Sequence, residues 1–285
     1  MKNFFKIALK SVIAIPLAIG ITVGAAQAER IRIALAETPS DELAAFFVAL
    51  DRAKANGLDY EWTAFSDEEL AIQAVLSGQM DIGFGTPYAA MQRSRAPLRI
   101  IFQLSKLKFF PVTTSAYSSL KDMDGEPILL HSRGGGTDSI ANVIENRVGI
   151  KFGDRSYVSG SSNRVAALLG GRADATIIDL SNKNKLMRSE AAGNFNVLEM
   201  FDVDASDEAL FGNLDWIKEN EKDVAIFVNA LVSTWQDMHD DPTIIRRETN
   251  PDGPIGQLPD EILAELDGFY ADAVAGGLYD PNGGG

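Results

Sequence analysis

A chain of 285 residues, 46% of them hydrophobic, is long enough to bury two ordinary cores. It has no cysteine, which excludes a disulfide framework, a thiolate metal site and a cysteine nucleophile. A formal net charge of −14 argues against nucleic acid and anionic membranes as partners, although a cleft inside so acidic a shell can still be locally basic.

Lys2, Lys6 and Lys10 precede an apolar run from Val12 to Ala26, and Ala26-Gln27-Ala28 has small residues at both ends. This order predicts a secretory signal peptide over residues 1–28, cleaved after Ala28. The run is shorter than the ~18–20 apolar residues of a membrane span, and Pro16, Gly20 and Gly24 interrupt it. No cysteine is available to carry a lipid, so an exported chain is retained most simply by an outer membrane. The expectation is a soluble periplasmic monomer beginning at Glu29.

Glu29 to Ala36 reads as a first strand. Thr38-Pro39-Ser40-Asp41 then starts a helix, with the threonine as cap and the proline in its first turn. Leu43, Phe46, Phe47 and Leu50 share one face of that helix, and Asn56-Gly57 ends it. Leu58 to Phe65 is a second strand, and Ser66-x-x-Glu69 is a capping box for a second helix. Met80 to Gly85 is a third strand, followed by Thr86-Pro87, the same pair found at Thr38-Pro39. Both pairs follow a strand's carboxyl end, where open α/β sheets bind ligands. Each is read equally well as a binding position or simply as a good helix start. Leu98 to Leu104 is a fourth strand, and Ser105 to Thr114, carrying Lys106 and Lys108, is expected to cross to a second lobe.

The stretch Ala74 to Asp81 (AVLSGQMD) recurs as Ala167 to Asp174 (ALLGGRAD), and each copy is followed by an apolar run. Both read as the end of a helix, a glycine suited to left-handed backbone, then a buried strand. One such unit in each half predicts two similar α/β lobes with a cleft between them. In the second half, Glu126 to His131 is a strand and Ser132-Arg133-Gly134-Gly135-Gly136-Thr137 a glycine-rich turn into a helix. Its amides can converge on an anion or strongly polar group, though it is neither G-K-[ST] nor G-x-G-x-x-G. Arg133 can pair with a ligand carboxylate or sulfonate, or sit on the rim. Arg155 to Ser159 is a strand that leads to Gly160-Ser161-Ser162-Asn163 at another helix start. In the register of the repeat Asp179 is the counterpart of Thr86, placed to hold a ligand donor, to clamp the lobes or to cap the following helix. Phe195 to Phe201 is expected to return to the first lobe, Asp207 to Asp240 to be helical, and Pro259 to Ala275 to be the last helix. Asp280 to Gly285 reads as a frayed tail or a truncation.

Taken together, the Leu76 to Gly83 run, Ala96-Pro97-Leu98-Arg99-Ile100, Ser119 to Gly125, the Gly135-Gly136-Thr137 loop, the Ala167 to Asp174 copy, and Trp216 with Asp241-Pro242 resemble the class II periplasmic solute-binding proteins of ABC importers. The similarity is to the branch of sulfonate, taurine, nitrate and thiamine-pyrimidine-precursor binders, and it covers nearly all of residues 29–285. His131 departs from the pattern, standing where the family usually has a proline. The resemblance implies an α/β flytrap fold, with lobe I formed by 29–113 and 206–285 and lobe II by 114–205. It implies a small-molecule ligand lined by Pro39, Ser40, Thr86, Pro87, Ser105, Gly136, Thr137, Ser161, Ser162 and Asp179, with Arg133 a candidate beside them. It also implies an ABC permease as partner, with no cofactor, metal or catalytic residue.

An enzyme is the weaker expectation. His131 and His239 are the two histidines, His239 reads as solvated, and neither H-E-x-x-H nor G-x-S-x-G occurs. A ligand-sensing receptor subunit, and an enzyme like the pyrimidine-precursor synthase built on the same fold, are the alternatives.

Overall fold

The computed structural model describes residues 30–65, 68–94, 97–200 and 205–283. The expected signal peptide, and Ser66 of the expected capping box, lie outside the described residues.

The first half of the chain alternates strand and helix: β1 (Ile31–Leu35), α1 (Ala44–Ala55), β2 (Tyr60–Ala64), α2 (Glu68–Leu76), β3 (Ile82–Gly85), α3 (Tyr88–Ser94) and β4 (Leu98–Gln103). β1 runs parallel to both β2 and β3, as strands joined by helical crossovers must. The expected Leu43, Phe46, Phe47 and Leu50 face is buried, and Phe46 meets Phe84 edge-on with ring centroids 5.0 Å apart. Thr38 does not cap this helix: a short 3-10 turn, Asp41–Leu43, comes first, with Ser40 in the capping position.

The second half repeats the plan with β5 (Phe109–Thr114), β6 (Ile128–Leu130), α4 (Gly136–Ile144), β7 (Arg155–Tyr157), α5 (Ser161–Leu169), β8 (Ala175–Asp179), α6 (Leu180–Arg188) and β9 (Phe195–Val197). The chain then returns through β10 (Ala209–Asn213), α7 (Leu214–Glu219), α8 (Glu221–Asp240), α9 (Ile244–Glu248) and α10 (Asp260–Ala275).

Two five-stranded sheets result, ordered β2-β1-β3-β10-β4 and β7-β6-β8-β5-β9. In each, three parallel strands are followed by one antiparallel to its neighbours, β10 in the first and β5 in the second. The sequence repeat is therefore a repeat of topology. β3 and β8 hold the same sheet position, and the glycines before them, Gly78 (φ 74°) and Gly171 (φ 63°), both adopt the left-handed backbone that ends α2 and α5. Asp81 of the first copy is buried and accepts bonds from the Arg32 backbone amide (2.8 Å) and guanidinium (2.6 Å), locking β3 to β1.

Three expectations change. Residues 109–114 are not a crossing segment: β5 pairs with β8 and β9 in the second sheet, so the chain passes between sheets within 104–108. β9 pairs with β5 and is no return strand. The expected helix from Asp207 begins with β10, whose first four residues are all buried. So short an unbroken apolar run carries no period to tell strand from helix.

The C-terminal segment is seated as far as Gly283, where it was expected to fray. The Gln103 amide donates to Gly283 O (3.1 Å) and the Lys106 amide to Leu278 O (2.7 Å), and Tyr279 is buried. His239 is half-buried, its ring nitrogens 2.8 Å from Trp235 O and 3.1 Å from Tyr279 O; it ties the tail to α8 instead of facing solvent. Trp235 lies edge-on to Phe102 and Tyr279 and donates to Leu104 O (3.1 Å).

Candidate functional site

The carboxyl ends of β1 and β3 and the entry to β10 lie at one end of the first sheet, because β10 pairs its Ala209 with Gly85 at the end of β3. The ends of β6, β7 and β8 form the matching edge of the second sheet, with Phe109 of β5 paired to Asp179. The two halves are in contact. Asp41, in the turn before α1, accepts from Ser181 Oγ (3.2 Å) and Lys185 Nζ (3.1 Å) of α6, and Asn184 of α6 donates to Asp272 of α10 (2.9 Å). Leu180 packs into the first core cluster. The lobes are thus clasped along α6.

The expected residues divide by what their polar atoms do. On the first lobe, Pro39 and Ser40 are partly buried in the β1–α1 loop, and the Ser40 side chain makes no capping bond. Thr86 donates its amide (2.7 Å) and its hydroxyl to Glu68 Oε1 at the start of α2, with Pro87 buried behind it. Ser105 is buried, and its Oγ accepts from the Glu208 amide (3.3 Å), fixing the entry to β10.

On the second lobe the glycine loop is largely occupied by its own chain. Thr137 Oγ1 accepts from the His131 amide (2.8 Å), and Asp138 Oδ2 accepts from the Gly134 amide (2.9 Å), the place an anionic ligand was expected to take. Asp138 Oδ1 also takes Arg155 Nη1 (2.7 Å) and the Tyr157 hydroxyl (3.3 Å). Burial alone would raise this carboxyl, but the Gly134 amide, Arg155 and Tyr157 outweigh it and hold it below the ordinary value. Gly136 opens α4. Arg133 is exposed and lies over the Tyr157 ring, 5.3 Å from its centroid. Ser162 is exposed, and Ser161 Oγ accepts from Arg164 Nη2 (2.8 Å). Asp179 caps α6, accepting from the Asn182 amide (2.7 Å).

Two features escaped the sequence reading. One is Arg164, fully buried behind the second lobe's strand ends. It donates to Val158 O (3.1 Å), Ile177 O (3.0 Å) and Ser161, and burial lowers it to about 10 against the pull of Asp179. The other is a set of acids on the first lobe. Glu37 follows β1, Glu42 lies in the turn before α1, and Asp207 and Glu208 lead into β10. Burial, reinforced by Asp179, Asp207, Asp41 and Glu68, pushes the Glu37 carboxyl up to about 8. Burial, with Glu68 and Asp179, pushes Asp207 up to about 7, and Glu42 and Glu208 are raised well above the ordinary value by burial and the same neighbours. Asp179 of the second lobe is among the charges that raise Glu37, Glu42 and Asp207. An open hollow of about 280 Å³ lined by Phe110, Lys183, Asn184, Met187, Arg188 and Val197 holds none of these groups.

The family described as NMT1/THI5 like matches residues 42–244. The chain belongs to that family. No curated protein matches its sequence significantly. Solved structures resemble this NMT1/THI5-like chain over most of its length. A protein of Bordetella bronchiseptica RB50 is 18% identical with a TM-score of 0.68, covering 89% of this chain and 84% of that one. The periplasmic aliphatic sulphonate binding protein SsuA of Escherichia coli is 15% identical, TM-score 0.64, covering 84% and 82%. A Candida albicans protein with the generic periplasmic binding protein fold is 14% identical, TM-score 0.63, covering 83% and 79%. At such identities the likeness is one of fold. The NMT1/THI5-like chain has the two-lobed α/β fold of periplasmic binding proteins.

Proposed function

We propose that the chain is a periplasmic solute-binding protein. It captures one small polar molecule between its lobes and delivers it to the permease of an ABC importer. The observation that carries this reading is the facing of two topologically matched sheets through their strand ends, with polar side chains from both lobes meeting there. Ligand sites in open α/β sheets lie at such ends, and closure of two lobes around a solute is a standard hinge motion. Family membership and the sulphonate-binding neighbour support the same reading. In this account residues 1–28 are a leader removed on export. The first lobe comprises the strands up to β4 together with β10 and the C-terminal helices, and the second lobe runs from β5 to β9. In this account Pro39, Ser40, Thr86, Ser105, Ser161 and Asp179 line the cleft, with Arg133 and Ser162 beside them. The protein binds without turning its ligand over and acts as a monomer.

Calorimetry of the mature chain against sulfonates, carboxylates, amines and pyrimidines, paired with small-angle scattering, tests this. The expected result is 1:1 binding with a smaller radius of gyration in the complex. Chemical conversion of a bound compound without added partners would replace the reading with an enzymatic one.

A further inference from the structure

One residue joins the two candidate ligand loops of the second lobe. His131 follows β6 and opens the glycine loop, and its amide donates to Thr137 Oγ1 (2.8 Å) at the far end of that loop. Its side chain reaches the other loop, the serine turn between β7 and α5. There the ring Nδ1 accepts from the Gly160 amide (3.3 Å) and lies 3.5 Å from Arg164 Nη1. Gly160 stands at φ 82°, in the left-handed region, immediately before Ser161 and Ser162 at the start of α5. Fixing its amide therefore fixes how that helix begins.

The two partners dictate the state of the ring. A backbone N–H only donates, and a guanidinium has donors and no acceptor. Both call for a lone pair on Nδ1, which a neutral imidazole supplies when its proton sits on Nε2. An imidazolium carries N–H on both nitrogens. It would set a proton against the Gly160 proton and a positive charge against Arg164, which is 1% exposed. Arg164 is anchored by bonds to Val158 O (3.1 Å), Ile177 O (3.0 Å) and Ser161 Oγ (2.8 Å), so the exposed ring is the side that moves. Of the other charged groups on neighbouring elements, Asp179 at the end of β8 acts on Arg164, and Asp138 of α4 is taken by the Gly134 amide and Arg155. Arg133, in the same loop as His131, lies over Tyr157 of β7.

We propose that His131 is a positioning residue with an acid release: its neutral ring holds the serine turn to the glycine loop, and on taking a proton it lets go. Gly136 and Thr137 on one side, and Ser161 and Ser162 on the other, are then no longer fixed relative to one another. An imidazole ordinarily takes its proton near pH ~6.5, within the range a cell surface meets. The second lobe's half of the cleft is thereby set in neutral solution and loosened in acid. The use of these loops for a ligand rests on the solute-binding reading; the tie itself does not.

Long-range proton–nitrogen NMR of the isotope-labelled mature chain, from about pH 8 to about pH 5, tests this without any ligand. The chain has two histidines, and the signals lost in His131→Asn are those of His131. At pH 8 its ring is expected as the Nε2–H tautomer. As the ring titrates, the Gly160 amide signal should move with the same midpoint. The protection of that amide from exchange should fall about fivefold or more, as loss of a hydrogen bond worth ~1 kcal/mol implies. His131→Asn, whose side-chain carbonyl can stand in for Nδ1, should keep Gly160 in its pH 8 state across the range. His131→Phe should leave it in its acid state even at pH 8. An Nδ1–H tautomer at pH 8, or a Gly160 amide that ignores the titration of the ring or behaves alike in all three chains, overturns the inference. Either result leaves the solute-binding reading standing, because that reading fails separately, by the absence of any 1:1 complex in calorimetry.

Discussion

Behind the strand ends of the second lobe, polar groups close on one another. Asp138 fills the glycine loop, Arg164 binds two backbone carbonyls and Ser161, and Asp179 caps α6. At those of the first lobe, the half-buried Glu37, Glu42, Asp207 and Glu208 have their carboxyls raised by burial and by neighbouring acids. The strand order is the same and the chemistry is opposite. A duplicated topology fixes where ligand-facing positions lie, but each lobe is free to spend them on its own stability or to leave them for a ligand. The second lobe has done the former, while the first lobe's acids carry no such closed set of bonds.

The largest expected difference comes from removing one charge on each side. Arg164→Met leaves the buried Ile177 O without its Arg164 donor and also removes the bond to Val158 O, and should destabilise by about 1–3 kcal/mol, the usual cost of an orphaned buried acceptor. Glu37→Gln should instead leave stability unchanged or raise it near pH 8, because it removes a carboxyl that burial holds protonated. Urea unfolding of both variants checks this. If Glu37→Gln destabilises as much as Arg164→Met, the first lobe's acids are structural and the contrast fails.

The matched topology was legible because helix-end glycines write themselves into sequence: the Gly78 and Gly171 positions are required by backbone, whatever the side chains around them. Thr86 and Asp179 were placed correctly relative to the strands for the same reason. The acids were not legible. Glu37 stands next to a recognisable strand end, but its meaning depends on Asp207 and Glu208, which reach it only through β10. That strand inserts between β3 and β4 from far along the chain, and its short buried run has no period to reveal it. The glycine loop was misjudged in the other direction. Its Gly134 amide donates to Asp138, four residues on, and its Gly135 amide to Ser132 O.

Acid and base should act on the two lobes with opposite sign. Glu37 ordinarily titrates near 4.5 and is held to about 8, so it binds its proton more tightly in the folded chain. The stability it contributes is complete below ~4.5 and is lost as pH rises toward 8. Asp138 is held below its ordinary 3.8, so its contribution is present above that value and lost as pH falls through the lower one. Wild type should therefore lose stability on both limbs. Glu37→Gln should flatten the alkaline limb, because the group whose proton affinity differs between folded and unfolded chain is gone. Asp138→Asn should flatten the acid limb and cost about 1.5–3 kcal/mol at neutral pH through its charge-assisted bonds. Thermal melts between about pH 3 and pH 9 distinguish the two; a single limb affected by both variants would show that the lobes do not divide the work in this way.

A smaller effect is expected where the two roles meet. Asp179→Ala removes the α6 cap and should lower stability by about 0.5–2 kcal/mol, whereas Asp179→Asn keeps an acceptor for the Asn182 amide and should cost a few tenths. Both remove a second-lobe charge that helps raise Glu37, so both should lower the pH at which Glu37 loses its proton. Carbon-detected NMR titration of the Glu37 carboxyl reads this directly. An unchanged Glu37 titration in both variants would separate Asp179 from the first lobe's acids and leave it a helix cap.

The smallest effect should be at Arg133, the residue whose sequence context most suggested an anion. Its guanidinium is exposed and rests on Tyr157, whose hydroxyl already serves Asp138. An exposed cation–π contact is worth about 0.5–1 kcal/mol, so Arg133→Ala should shift stability by no more than that. For a cationic ligand its removal should, if anything, tighten binding slightly by taking one positive charge from the rim. For an anionic ligand held by the glycine loop the same substitution should weaken binding tenfold or more, because a bidentate charge-assisted pair is lost. Titration of Arg133→Ala beside wild type with the same ligand therefore tests the comparison from its weak side. A large loss there would mean that Asp138 yields its place when ligand arrives, and that the second lobe, not the first, reads the ligand's charge.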